Sequence, residues 1–493
     1  MKVRYQGQMA PARWQLFSRQ RSKQARRRYV VALLALPTLV ASGAFAVTPV
    51  GAATAPVSVA ALLPLGSSSS PAAATTPIPP QDDPFYAPPV GYGSVSPGTI
   101  LRSRPVQLAA FATLPQNVDA WQLLYRTTDF EGQPEATVTT VLLPAGTAPR
   151  GLLSYQVAED AVAPQCAMSY VLQQGAGLAG ANSQAEVLLI DAALAQGFAV
   201  SVPDYEGPGG DFGAARQPGY AILDGLRAAE QFAPLGLPGQ RTPVGIWGYS
   251  GGSLVSGWAA QVQPSYAPEL DVRGVAVGGF VTNIDQALTQ INGGEASGLI
   301  VAVLDGVART VPALATALTT YLTPAGAAAL ANGASQCAAA DVAEYPFVDV
   351  GHYLTIPLAQ FLALPSVSAA LSGLNLGGST PTAPMFVYHA VNDELIPIAG
   401  TDATVANYCA HGDSVTYTRD ELSEHLSLAV IGAPAALGWL TQRLTGGAVP
   451  QGCTTTTVPS MLLTAGDLDN VSSTLLADLS GLLDQPIGPA EFG

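Results

Sequence analysis

Past Lys23 this 493-residue chain contains no lysine, and only 11% of its residues are charged. Nine of its twenty basic residues lie between Lys2 and Arg28, before the first acid, Asp82. Beyond Arg28 the chain carries eleven arginines against 35 acids, a net charge of −24. A surface of that sign repels phosphate backbones, which excludes nucleic acid as a partner. Histidine is scarce as well: His352, His389, His411 and His425 are all there is for imidazole chemistry. The four cysteines, Cys166, Cys337, Cys409 and Cys453, include no CxxC pair and have no histidine at ligand spacing, which excludes the usual zinc sites. After residue 60 every apolar run is soon broken by Gly, Pro or a charge, so no later segment reads as membrane-spanning.

Hydrophobic residues, by contrast, make up 48% of the chain, enough for a large core. The basic start runs into "YVVALLALPTLVASGAFA", residues 29–46, which ends in the small-x-small pattern Ala44-Phe45-Ala46. This predicts an export signal over residues 1–46, cleaved near Ala46 or Ala53, with a membrane anchor as the competing reading. Arg26-Arg27 leaves a twin-arginine route open. The expected location is extracellular, or held at the cell envelope. Four cysteines in an exported chain predict two disulfides, in any of three connectivities. Residues 47–93, rich in Ser, Pro and Ala, are expected to be a flexible lead-in.

Patterned sequence begins with "AWQLLYRTTDFEGQPEATVTTVLLP", two strands about the turn Glu131-Gly132-Gln133. Strands at 151–158, 198–205, 243–250 and 272–280 then alternate with helices at 183–197, 220–233 and 252–263. Strands apolar on both faces between amphipathic helices predict an α/β fold, a mostly parallel sheet with helices on both sides. From about 283 to 381 the alternation lapses into Ala- and Leu-rich helices before strands return at 384–390 and 414–420 and a helix at 426–444 closes the pattern. An insertion of that kind is expected to be a helical cap over the carboxyl edge of the sheet, where such folds bind ligands. The catalytic domain is placed at 94–453, and residues 454–493 are left as a tail.

The stretch "GIWGYSGGS" sets Gly248 and Gly252 two residues either side of Ser250, where a buried strand gives way to a helix. So abrupt a turn strains the central residue and needs glycines to permit close backbone approach; the result is an exposed serine over a helix N-terminus. A serine hydroxyl needs an imidazole base, and the base needs a carboxylate. In this fold the order is Ser, acid, His. "FVYHAVNDELIP" puts Asp393 just past a strand, and "VTYTRDELSEHLSLAV" puts His425 in the loop before the next helix. Glu394 is the alternative acid and His411 the alternative base, while His389, inside a strand, and His352, in the cap, read as packing residues. The oxyanion needs two donors: the N–H of Gly251, and one from the early loop "SYQVAEDAVAPQC".

Together "SYQVAED", "VPDYEGPGGDF", "GYAILDGLRAA" and "GYSGGSLVSGWAA", along with the cap, Asp393 and His425, resemble the secretory lipase family, the lipase A-like α/β-hydrolases of fungi and actinobacteria. The resemblance covers about residues 85–450. It implies Ser250, Asp393 and His425 as a triad, Asp160 as the second oxyanion-hole residue, and a helical lid. It also implies the pairings Cys166–Cys337 and Cys409–Cys453. The expected activity is a secreted serine carboxylic-ester hydrolase, acting on lipid or small ester substrates without metal or organic cofactor, with the cap touching lipid interfaces transiently. An acyltransferase on the same scaffold and a non-catalytic envelope binding protein are the alternatives.

Overall fold

The computed structural model describes residues 76–463 and 467–489. The predicted signal and its cleavage sites therefore lie outside the described residues. Among the described residues, twelve strands run β1 Ile100–Pro105, β2 Ala109–Ala110, β3 Leu114–Pro115, β4 Asp119–Thr128, β5 Pro134–Leu143, β6 Leu152–Gln156, β7 Ala199–Pro203, β8 Val244–Tyr249, β9 Val272–Gly278, β10 Met385–Ala390, β11 Val415–Asp420 and β12 Cys453–Val458. Ten of them form one sheet in the order β1-β4-β5-β7-β6-β8-β9-β10-β11-β12, and β2 pairs with β3 apart from it. From β7 to β12 all neighbours are parallel. β1, β4 and β5 extend the other edge antiparallel.

Burial on both faces follows from strand periodicity. In β8, Val244 and Ile246 enter a core shared with helices Gln217–Gln231 and Gly251–Tyr266 and with the cap. Trp247 and Tyr249 enter the opposite core, with helices Val187–Ala195 and Ala433–Leu444. The expected closing helix is two helices, His425–Ile431 and Ala433–Leu444, parted at Gly432, with Pro434 opening the second.

Between β9 and β10 the cap consists of helices Ile284–Ile291, Gly298–Thr310, Pro312–Tyr321, Pro324–Gly333, Ala338–Glu344, Leu358–Leu362 and Pro365–Ser372, with one 3-10 turn at Val350–Tyr353. It shares the first core through Ile300, Leu304, Val307, Leu314 and Leu318, and so packs as a layer of the domain. Cys166 pairs with Cys337, tying the loop after β6 to the cap, and Cys409 pairs with Cys453. Arg309 of the cap donates to the carbonyl oxygens of Val162 and Gly209, a second tie to the loop after β6 and a first to the loop after β7.

Two boundaries differ from the sequence reading. Part of the flexible lead-in is packed: Phe85 and Tyr86 lie against Leu124, Ala136 and Val138, and the Tyr86 hydroxyl is 2.8 Å from Ser169 Oγ. The tail supplies β12, paired parallel with β11 from Cys453 to Val458, and helix Asp467–Leu482. Polar β-branched threonines on an exposed edge carry no hydrophobic alternation for a sequence pattern to report. Among the described residues no helix is long and apolar enough to cross a membrane.

Candidate active site

Ser250 joins β8 to the helix Gly251–Tyr266 with φ 51° and ψ −123°, a conformation that side chains adopt rarely. The glycines around it are required by what a Cβ would meet. On Gly248 it would collide with the Gly252 carbonyl, and on Gly252 with the carbonyl oxygen of Gln156 at the end of β6. Close approach of the helix start to two strands, which pushes Ser250 out at the carboxyl edge, is possible only without those side chains.

Three loops at that edge converge. Ser250 Oγ lies 2.8 Å from His425 Nε2, and His425 Nδ1 lies 2.8 Å from Asp393 Oδ2. Asp393 Oδ1 accepts the backbone N–H groups of Leu395 and Ile396, at 3.0 and 2.7 Å. His425 opens the helix that follows β11 instead of lying in the loop before it. Glu424 caps that helix reciprocally with Ser427, which holds the first turn rigid. Tyr249 donates to the His425 carbonyl at 2.6 Å, and Glu394 Oε2 accepts the His425 N–H at 3.0 Å. Glu394 thus grips the backbone of His425, while Asp393 meets the ring.

The electrostatics suit a base held by an acid. Burial works against charge on His425, but Asp393, Glu394 and Asp160 outweigh it and raise the imidazole above its usual value. Burial likewise opposes charge on Asp393, and His425 and His389 overcome it, holding the carboxyl below the usual range. Asp160, buried beside Gly251 with a positive φ of 50°, is pushed up to about 6 by burial against the pull of His425. A Cβ on Gly251 would run into the Asp160 carboxylate, so the two residues expected to supply the oxyanion donors lie side by side.

His389, read from sequence as a packing residue, touches the acid. The Phe280 N–H donates to its Nδ1 at 3.0 Å, so the proton resides on Nε2. That nitrogen is 3.0 Å from the Ile396 carbonyl oxygen and 3.4 Å from Asp393 Oδ2. Nothing local in "FVYHAVND" marks this, beyond a buried histidine four residues from the acid. His411 is exposed, with Nδ1 2.8 Å from the Asn407 carbonyl oxygen at a helix end. His352 is exposed in the cap. Neither is brought to Ser250. A cleft of about 610 Å3, lined by Ala308, Ala315, Leu318 and Leu322 among others, lies among the cap helices, and no triad candidate lines it.

Comparison with known proteins places the chain in a family. The model of a family described as secretory lipase matches residues 172–452. A Mycobacterium tuberculosis protein named a probable inactive lipase is 43% identical over 388 residues, covering 78% of this chain and 87% of its own. Lipase A of Arthroderma benhamiae is 42% identical over 429 residues, 85% of this chain and 91% of its own. Among solved structures, Candida antarctica lipase A superposes with a TM-score of 0.75 at 28% identity, covering 84% of this chain and 99% of that one. The mostly parallel sheet with helices on both sides is an α/β-hydrolase fold. On the family match and on this likeness to lipases over most of its length, the chain belongs to the secretory lipase family.

Proposed function

We propose that this protein is a secreted serine carboxylic-ester hydrolase of lipase or esterase type. The observation that carries the reading is the unbroken chain of 2.8 Å hydrogen bonds from Ser250 through His425 to Asp393. Ser250 Oγ attacks the ester carbonyl carbon as His425 Nε2 takes its proton. The oxyanion is received by the backbone N–H of Gly251, at the positive end of its helix, and by that of Asp160. The carbonyl reforms, the alcohol leaves with the proton from His425, and an acyl group remains on Ser250. Water activated by the same imidazole then releases the acid. Asp393 keeps the proton on Nδ1 throughout and stabilises the imidazolium. Two disulfides suit an oxidising compartment, which supports export.

A second reading, a non-catalytic protein on this scaffold, draws on the mycobacterial relative named as a probable inactive lipase. Labelling with a fluorophosphonate probe separates the two. A reactive Ser250 is modified in the parent and not in Ser250→Ala, and hydrolysis of p-nitrophenyl butyrate falls by a factor on the order of 10^4 or more in that variant. Absence of labelling, or more than a few per cent of the rate in pure Ser250→Ala, overturns the assignment.

A further inference from the structure

Apolar exposure is distributed unevenly around the site. The cap, expected from sequence to meet lipid, exposes a single large hydrophobic side chain, Phe347. The loops beside His425 expose six: Val391, Leu422, Leu426, Val430, Leu462 and Leu463, with Leu422 and Leu463 about three-quarters accessible at 75% and 76%. They form one surface, because the segments that bear them are laced together. The Val391 N–H donates to the Asp420 carbonyl, and Asn392 Nδ2 to that of Glu421. Leu422 N–H donates to the Pro459 carbonyl, and Met461 N–H to Asp420 Oδ2. Leu426 and Val430 are four residues apart on one face of the helix that His425 begins. A contiguous exposed apolar surface of this kind marks an interaction site.

We infer that this surface, formed by the ends of β10, β11 and β12 beside His425, seats the enzyme on an uncharged lipid–water interface. The inference rests on the proposed ester hydrolysis for its substrate class. Charge selects the kind of interface. Beyond Arg28 the chain is lysine-free with 35 acids to eleven arginines. Within the patch Glu421 is exposed, and the nearby Arg419 is engaged by Asp402 at 2.6 Å. An anionic bilayer would be repelled, whereas a neutral or zwitterionic lipid surface accepts the apolar side chains without that cost. Position selects lipid over a protein partner, since a surface that begins at the residue after His425 sets the ester source next to Ser250.

The test uses the mature Ser250→Ala protein in flotation with triolein droplets coated with phosphatidylcholine, and in parallel with phosphatidylglycerol vesicles. Binding to the coated droplets is expected, and Leu422→Ser with Leu463→Ser lowers it on the order of tenfold. In the active enzyme the same pair lowers the ratio of turnover on emulsified tributyrin to that on soluble p-nitrophenyl acetate by a similar factor. Leu475→Ser with Leu479→Ser is the control: these leucines are exposed on helix Asp467–Leu482, whose following segment pairs with Ala145 at the opposite edge of the sheet. That variant keeps both values. Thermal melting verifies that each variant is folded. Undiminished flotation of the Leu422/Leu463 pair, binding to phosphatidylglycerol alone, or a parent dimer that this pair converts to monomer overturns the inference. Because flotation is read on Ser250→Ala, the docking surface can fail or hold independently of catalysis.

Discussion

Gly251→Ala isolates the proposed oxyanion site from the fold. Gly251 is the first residue of helix Gly251–Tyr266 and has no positive φ, so alanine is tolerated by its backbone and favoured by the helix. The difficulty is Asp160. A Cβ at Gly251 would overlap Asp160 Oδ1 and stand 2.8 Å from the carboxyl carbon, against an ordinary contact of 3.4–4 Å. The carboxyl must therefore retreat by more than the roughly 0.6 Å that its carbon alone requires, in a loop held by the Cys166–Cys337 disulfide and by Arg309. Misplacement on that scale costs about 10^2 in rate, and outright loss of one oxyanion donor costs about 10^2–10^3. The expectation is a fall in kcat on the order of 10^2 with p-nitrophenyl butyrate, little change in KM, and a melting temperature within a few degrees of the parent. Gly252→Ala should differ: its Cβ meets the backbone of Gln156, which cannot swing aside, so there the melting temperature falls too. Combining Gly251→Ala with Asp160→Ala should be far less than multiplicative, since both act on one site. A Gly251→Ala enzyme with kcat within threefold of the parent would refute the placement of the oxyanion between these residues.

The other predictions concern the supports of the site. His389→Ala should leave the Phe280 N–H unpaired at about 1–3 kcal/mol, and should deprive Asp393 of a donor. The carboxylate then becomes more basic and holds the imidazolium more strongly, so the acid limb of kcat/KM moves to higher pH; an unmoved limb means His389 only packs. Replacing both Cys166 and Cys337 by alanine opens a bridge across 171 residues of sequence and should cost about 2–5 kcal/mol in urea unfolding, with activity lowered. Equal stability of parent and variant would count against it. Burial pushes Glu186 up to about 8 and Asp204 and Glu135 up to about 7. The folded state therefore holds more protons than the unfolded chain from about pH 4 upward, and stability falls as pH rises through 7–8. His425, also raised, has the same sign; the lowered His389 opposes it, and the lowered Asp393 loses its contribution only on stronger acidification. Scanning calorimetry should find a higher melting temperature at pH 5.5 than at 8.5, and a flat or reversed trend would contradict these shifts.

Much of the candidate site is legible in the sequence because its signals are local. A Gly-x-Ser-x-Gly between strand and helix is a statement about backbone room at Ser250, and neighbouring residues are enough to make it. Asp393 and His425 were marked by their places after consecutive strands, since parallel strands deliver the loops at their ends to one edge. The cap was visible as a lapse in alternation, and the structure finds only helices and turns there, apart from one isolated bridge between Leu322 and Leu354.

The rest depended on contacts between segments distant in the chain. The residues of the sequence left three cysteine connectivities open, and the family resemblance favoured one; in the fold, Cys409 and Cys453 come within reach through the pairing of β12 with β11. β12 itself is a run of threonines whose strand state is imposed by hydrogen bonding to a neighbour, not by a buried face. His389 was a buried strand residue until the Phe280 N–H set its tautomer and turned its other nitrogen toward Asp393. Glu394 and Asp393 are adjacent, and only the orientation of the turn decides which one meets the imidazole ring and which one holds the backbone. Local sequence determines which backbone conformations and faces are accessible at each position. Which donor ends opposite which acceptor is decided by chain closure over tens to hundreds of residues, and that belongs to the tertiary structure.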